Sequence, residues 1–189
     1  MKKLFIKKMT FTVMFSAVIN ICSWISVPFS SGISVSLQSF AVMLASYLLG
    51  AKMGLVSVVI YLSLGAVGVP VFAGCRGGFD VLLGTSGGFL FGFLILALVV
   101  GACRQYIGEG RILTAISMTI GVLLCYTLGT LWFYFVYSEG SSFLSVAAAC
   151  TLPYLPFDAF KIWLALIVSQ RLKDCKPLGG IYECKRKNA

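Results

Sequence analysis

The chain has 189 residues, 59% of them hydrophobic and 11% charged, with a formal net charge of +9. A mean hydropathy of +0.99 excludes a water-soluble domain and points to a membrane protein. The positive charge does not indicate nucleic acid, because the basic residues stand dispersed at the ends of apolar runs and form no patch interleaved with stacking aromatics.

Uncharged runs set the number of spans. Residues 9–51, 53–75, 81–103 and 112–138 carry no charge, and a last apolar run surrounds Asp158 and Lys161. A spanning helix needs about 20 apolar residues, so the first run holds two spans and each later one holds one. The expectation is all-α: an integral membrane six-helix bundle over 1–172, with a basic cytoplasmic tail over 173–189. With both termini cytoplasmic, every Lys and Arg falls inside except Arg76, in an outer loop, and Lys161, within the membrane. That is the positive-inside pattern of a multi-pass protein in a prokaryotic cell membrane.

The first span, about 9–27, ends at Pro28. Its basic start resembles a signal peptide but lacks an A-x-A cleavage site, so it reads as an uncleaved helix. Ser16, Ala17 and Asn20 are small or polar residues, with Ser16 and Asn20 four apart on one face, which lets another helix approach closely in lipid. That neighbour is either a partner protein or another helix of this chain. A serine-rich outer loop follows and leads past Gln38 into the second span, which ends at Gly50. Lys52 marks a tight inner turn.

The third span runs to about Val69. Beyond it the chain reads VPVFAGCRGGFDVLLGTSGG, with Gly74, Gly77, Gly78, Gly84, Gly87 and Gly88 close together. This glycine-rich outer loop between the third and fourth helices can fold back over the bundle mouth as a lid. Gly84 to Gly88 stand directly before the fourth span, whose first N–H groups lack internal partners and favour an anionic group. No G-x-G-x-x-G and no Gly-Lys pair occurs, so the chain has no nucleotide-binding loop of its own.

The fifth span ends in LWFYFVY, an interfacial aromatic belt. The sixth begins at Pro153 and Pro156 and carries Asp158 and Lys161 three apart on one helical face. Charged groups at that depth are costly and mark ligand or ion sites by default. They read as a polar anchor for a ligand, the alternative being a structural salt bridge between helices. The seven cysteines form no C-x-x-C pair and the chain has no histidine, so neither a zinc site nor a disulfide framework is expected. Cys175 and Cys184 lie in the tail.

Three segments carry a resemblance: YLSLGAVGVPVFAG (Tyr61 to Gly74), GTSGGFLFGF (Gly84 to Phe93) and LPYLPFDAFKIWLA (Leu152 to Ala165). With Ser36 to Gln38, they are similar in order and spacing to the BioY proteins, the biotin-binding specificity subunits (S components) of energy-coupling factor (ECF) transporters. Departures are Thr85-Ser86 where the family usually has Pro-Thr, and Ser34 and Ser36 in place of Pro and Thr. The resemblance implies high-affinity biotin capture by a subunit with no cofactor and no enzymatic activity. It also implies docking through the first helix, at Ser16, Ala17 and Asn20, onto an ECF coupling protein driven by two ATPase subunits.

In that reading Asp158 accepts N–H bonds from the ureido ring, and Lys161 donates to its carbonyl or keeps Asp158 ionised. Phe72, Ala73, Gly74, Arg76, Gly77 and Gly78 of the lid, the helix start at Ser86, Gly87 and Gly88, and Gln38 complete the site. Arg76 is the candidate for the ligand carboxylate. Membrane lipid surrounds the bundle. The competing expectations are a specificity subunit for another vitamin and a proton-coupled carrier using Asp158 as its relay. A membrane-embedded enzyme is disfavoured for want of a second intramembrane acid or a histidine.

Overall fold

In a bilayer every backbone polar group must be satisfied within the protein, and helices do this segment by segment. The computed structural model describes residues 2–28, 34–108, 110–137 and 143–173. The tail over 174–189, with Cys175 and Cys184, and the middle of the serine-rich loop lie outside them.

Helix α1 spans Lys2–Trp24 and leads into a short strand β1 (Ser26–Pro28), which pairs antiparallel with β2 (Ser34–Ser36). Helix α2 covers Gln38–Ala66, α3 Phe79–Leu83 and α4 Gly87–Ala102, the last continuing into one π turn over Cys103–Ile107. Helix α5 covers Arg111–Tyr137, α6 Phe143–Thr151 and α7 Leu155–Lys173. The β1–β2 ribbon qualifies the all-α expectation, and the short helices α3 and α6 add to the helices expected.

Helix α2 is a hairpin of two antiparallel arms. Gly50 has φ 77° and ψ 180° inside it, a conformation open essentially to glycine alone. Gln38 donates through Nε2 to the Tyr61 hydroxyl at 2.5 Å across 23 positions of sequence, where a straight helix would separate them by about 34 Å. A Cβ on Gly54 would lie 2.7 Å from Ser46 Cα, so the arms cross backbone to backbone. The C-terminal end of α4 seats on this turn, with Gly101 against Gly50 and Ala51.

Helix α4 packs most extensively on α5 and α2, and α1 lies along α2. Tyr47, Met43, Leu48, Leu49, Val58, Leu96, Val100 and Met118 form the fully buried centre. Interior hydroxyls return to their own helices: Ser46 donates to Val42 O and Ser57 to Gly54 O, each at 2.7 Å. The outer surface is the reverse of a soluble protein's. Val13, Met14, Ile21, Leu98, Ile116, Leu123, Phe160 and Trp163 are exposed, an apolar girdle suited to lipid tails.

Among the described residues, four helices are long and apolar enough to cross a membrane: Phe5–Trp24, Gln38–Ala66, Gly87–Ile107 and Arg111–Tyr137. Helix α7 misses that description because Asp158, Lys161 and Arg171 interrupt it. Lys52, Arg104 and Arg111 lie at the end that holds the hairpin turn, where the Arg104 guanidinium stacks 4.4 Å over the Tyr47 ring. Arg111 Nε donates to Gln170 Oε1 at 2.9 Å.

Candidate ligand-binding site

At the opposite end the helices part around a cavity of about 110 Å³, against the roughly 10–15 Å³ that one water occupies. Helix α7 brings the acid and the base to it. Tyr154 closes the first turn by accepting from Asp158 N–H at 3.0 Å, and Pro156 occupies a position whose N–H would be unpaired anyway. Asp158 and Lys161 then fall one turn apart with both side chains turned inward, 7% and 6% exposed.

Their polar atoms form a hydrogen-bonded cluster. Lys161 Nζ lies 2.8 Å from Asp158 Oδ1 and donates to Ser39 Oγ at 3.3 Å. Ser39 reaches the same carboxylate oxygen at 3.5 Å, and the Tyr126 hydroxyl donates to Oδ2. An ionised carboxylate has about four acceptor positions and an ammonium three N–H donors. Among the described residues, one acceptor position on Oδ2 and one donor on Nζ therefore remain. The pair lines the cavity rather than being sealed among helices.

A second polar group stands on α2. Ser36 donates to Gln38 Oε1 at 3.0 Å, and Gln38 in turn holds Tyr61. The apolar wall is largely aromatic: Phe89 and Phe93, with Leu96, come from one face of α4, and Phe89 meets Tyr126 edge to face at 6.1 Å. The lid is a tight hairpin in which Phe72 and Arg76 exchange backbone hydrogen bonds of 2.8 and 3.3 Å. Its tip turns through positive φ at Gly74 and Cys75. Phe72 is fully buried, edge on to Tyr61 at 5.6 Å and in the slot left by the missing side chain of Gly65.

Of the residues expected at the site, Asp158, Lys161, Gln38, Phe72, Ala73, Arg76 and Ser86 line the cavity, whereas Gly74, Gly77, Gly78, Gly87 and Gly88 do not. Gly77, Gly87 and Gly88 serve close packing. A Cβ on Gly77 would meet Val69 O at 2.3 Å, on Gly87 Leu82 O at 2.0 Å, and on Gly88 Trp132 Cβ at 2.3 Å. Gly78 has φ 115° and donates its N–H to Gly65 O. The start of α4 is thus packed on Trp132, and Gly87 N–H is bonded to Gly84 O, so only Ser86 of that segment reaches the ligand space.

Ser39, Tyr126, Tyr154, Phe89 and Phe93 line the cavity without having been singled out. Tyr126 had a signal: a hydroxyl in the middle of an apolar span needs a partner. On α1, Ser16 is 2% exposed and faces the bundle, the internal one of the two alternatives, while Asn20 is half-buried and Ala17 faces outward. Polar side chains in lipid turn to other helices, which explains the orientation of Ser16. No cluster of metal-ligating side chains occurs among the described residues.

Comparison with known proteins follows the same lines. The structure superposes with a TM-score of 0.87 on a crystal structure of the S-component for biotin from an ECF-type ABC transporter, covering 97% of this chain and 99% of that one at 24% identity. The fold is therefore that of an S-component. In sequence, the BioY family model matches residues 1–177. The chain is 36% identical to the biotin transporter BioY of Thermotoga maritima over 84% of this chain and 91% of that one. It is 35% identical to the probable biotin transporter BioY of Pyrococcus horikoshii, over 88% and 96% of the two chains. The chain belongs to the BioY family.

Proposed function

We propose that this protein captures biotin as the specificity subunit of an ECF-type transporter in a prokaryotic cell membrane, with ATP hydrolysis supplied by two partner subunits through a coupling protein. It is a transport component and not an enzyme. The observation that carries this reading is the buried Asp158–Lys161 pair opening on a cavity. Its adjacent acceptor and donor match the N–H and C=O of a cyclic urea, and relatives bearing the name biotin transporter support that ligand.

The Asp158 carboxylate accepts a ureido N–H at Oδ2 while Lys161 donates to the ureido oxygen. Phe89 and Phe93 flank the apolar bicycle, and Arg76, on the exposed side of the lid, meets the carboxylate at the mouth. The two arms of α2, with α1, α4, α5 and α7, make six spans over 1–172, with both termini and the 173–189 tail cytoplasmic and the cavity facing outward. Ala17, on the outward face of α1, belongs to the surface that meets the coupling protein.

A panel of water-soluble vitamins screened by thermal shift on the purified full chain tests the ligand. Biotin alone should raise the midpoint. A rise with a different vitamin, and none with biotin, would reassign the substrate.

A further inference from the structure

Three side chains, two at the cavity end of α1 and one at the start of β1, hold the backbone of the lid without lining the cavity. Trp24 Nε1 donates to Pro70 O at 2.9 Å, the Ser23 hydroxyl donates to Val71 O, and Ser26 Oγ accepts from Gly74 N–H at 3.0 Å. From the same stretch Phe72, Ala73 and Arg76 project into the cavity lining. The lid therefore has its backbone tied to the end of α1 and the start of β1 and these side chains turned to the cavity. We infer that Ser23, Trp24 and Ser26 form a clasp that positions the 70–76 segment over the ligand and sets how long the ligand stays bound. The clause about the ligand rests on the biotin reading above; the clasp itself does not.

The chemistry of the clasp is that of a catch that can open. Ser23 has one hydroxyl proton and two acceptors within reach, Val71 O and, at 2.6 Å, Asn20 O of its own helix. When the lid lifts, the hydroxyl keeps Asn20 O, so a fully buried donor is never stranded. Trp24 is 53% exposed, and its indole N–H can turn to water or headgroups. Phe72, by contrast, must leave an apolar slot, so the aromatic ring supplies the closing force while the clasp fixes where the lid comes to rest. The same end of α1 also orders the far wall. Leu37 N–H donates to Ile25 O at 3.2 Å, and β1 pairs with β2, whose Ser34, Val35 and Ser36 all line the cavity.

The test uses the full chain in lipid nanodiscs, comparing the parent with Ser23→Ala, Trp24→Phe and the double variant, and with Val13→Ala on the exposed face of α1 as a control. Two quantities are read: the dissociation rate of radiolabelled biotin, and hydrogen–deuterium exchange at 72–76 in the ligand-free chain. Each lost hydrogen bond should speed dissociation about fivefold, the double variant more than either single, with faster exchange at the amides of Phe72, Gly74 and Arg76 and no change for Val13→Ala. Unaltered dissociation and lid exchange would overturn the clasp. So would a lowered melting temperature with dissociation unchanged, since that would mean the bonds merely hold α1 to the bundle. Should the parent bind no biotin, the biotin reading fails, and the exchange measurement alone decides the clasp.

Discussion

At the scale of single residues, burial of an acid and a base in the membrane is the feature that asks for a reason. Removing one partner of such a pair leaves an uncompensated charge and costs about 3–5 kcal/mol, whereas replacing both by apolar groups of similar volume is often neutral or stabilising. Lys161→Met should therefore unfold more readily than the parent by about 3–5 kcal/mol. The double variant Asp158→Leu with Lys161→Met should regain parental stability yet bind no ligand. Unfolding in mixed detergent micelles, run beside a binding assay, separates the two effects. Binding retained by the double variant would make the pair a structural bridge only. The charges themselves were legible in the sequence, because they interrupt an apolar run. Ser39 was not, and Tyr126 showed only as a hydroxyl in need of a partner, since a serine on α2 and a tyrosine on α5 meet the carboxylate only once three helices have packed.

Among the elements, the hairpin in α2 does most to build the site, since it returns Tyr61 to Gln38 and carries Gly65 to the slot that holds Phe72. Gly50→Ala places a Cβ in a backbone region that is essentially glycine-only, which costs on the order of 1–3 kcal/mol. The turn is also buried beneath Gly101. The variant should lose that much stability in thermal unfolding; no loss would mean that the turn can rearrange. Gly50 and Lys52 were readable in sequence as the end of one span and the mark of an inner turn. The role of the glycines after Val69 was less readable. Their clustering suggested ligand contact, but a glycine that admits a ligand and one that admits Trp132 or a carbonyl oxygen have the same letter. Which neighbour arrives is decided by tertiary packing. Helix α3 and the β1–β2 ribbon escaped for a related reason: segments of five and three residues carry too little periodicity to register.

For the whole molecule, the apolar girdle, the cavity at one end and Arg104 and Arg111 at the other define an axis, and the proposed topology, argued from charge distribution, turns the cavity outward. Cys75, exposed at the tip of the lid, reports on that orientation. A variant keeping Cys75 as its single cysteine should react with a membrane-impermeant maleimide added to intact cells, and saturating biotin should slow the reaction as the lid closes. Labelling confined to inside-out vesicles would invert the topology. That the chain holds several apolar spans could be read from the spacing of charges, because the bilayer imposes a minimum length on every apolar run; among the described residues four helices meet it. How the helices cluster around the cavity could not, since that depends on which small residues face which neighbours.

The most direct test of the account is the equilibrium affinity of the purified full chain for biotin, measured by isothermal titration with the parent and with Asp158→Asn. Loss of a desolvated, charge-assisted hydrogen bond should cost about 2–5 kcal/mol, so the parent should bind tightly and the variant should be weaker by between about thirtyfold and several thousandfold. Equal affinity in the two proteins would remove Asp158 from the site and contradict the central claim.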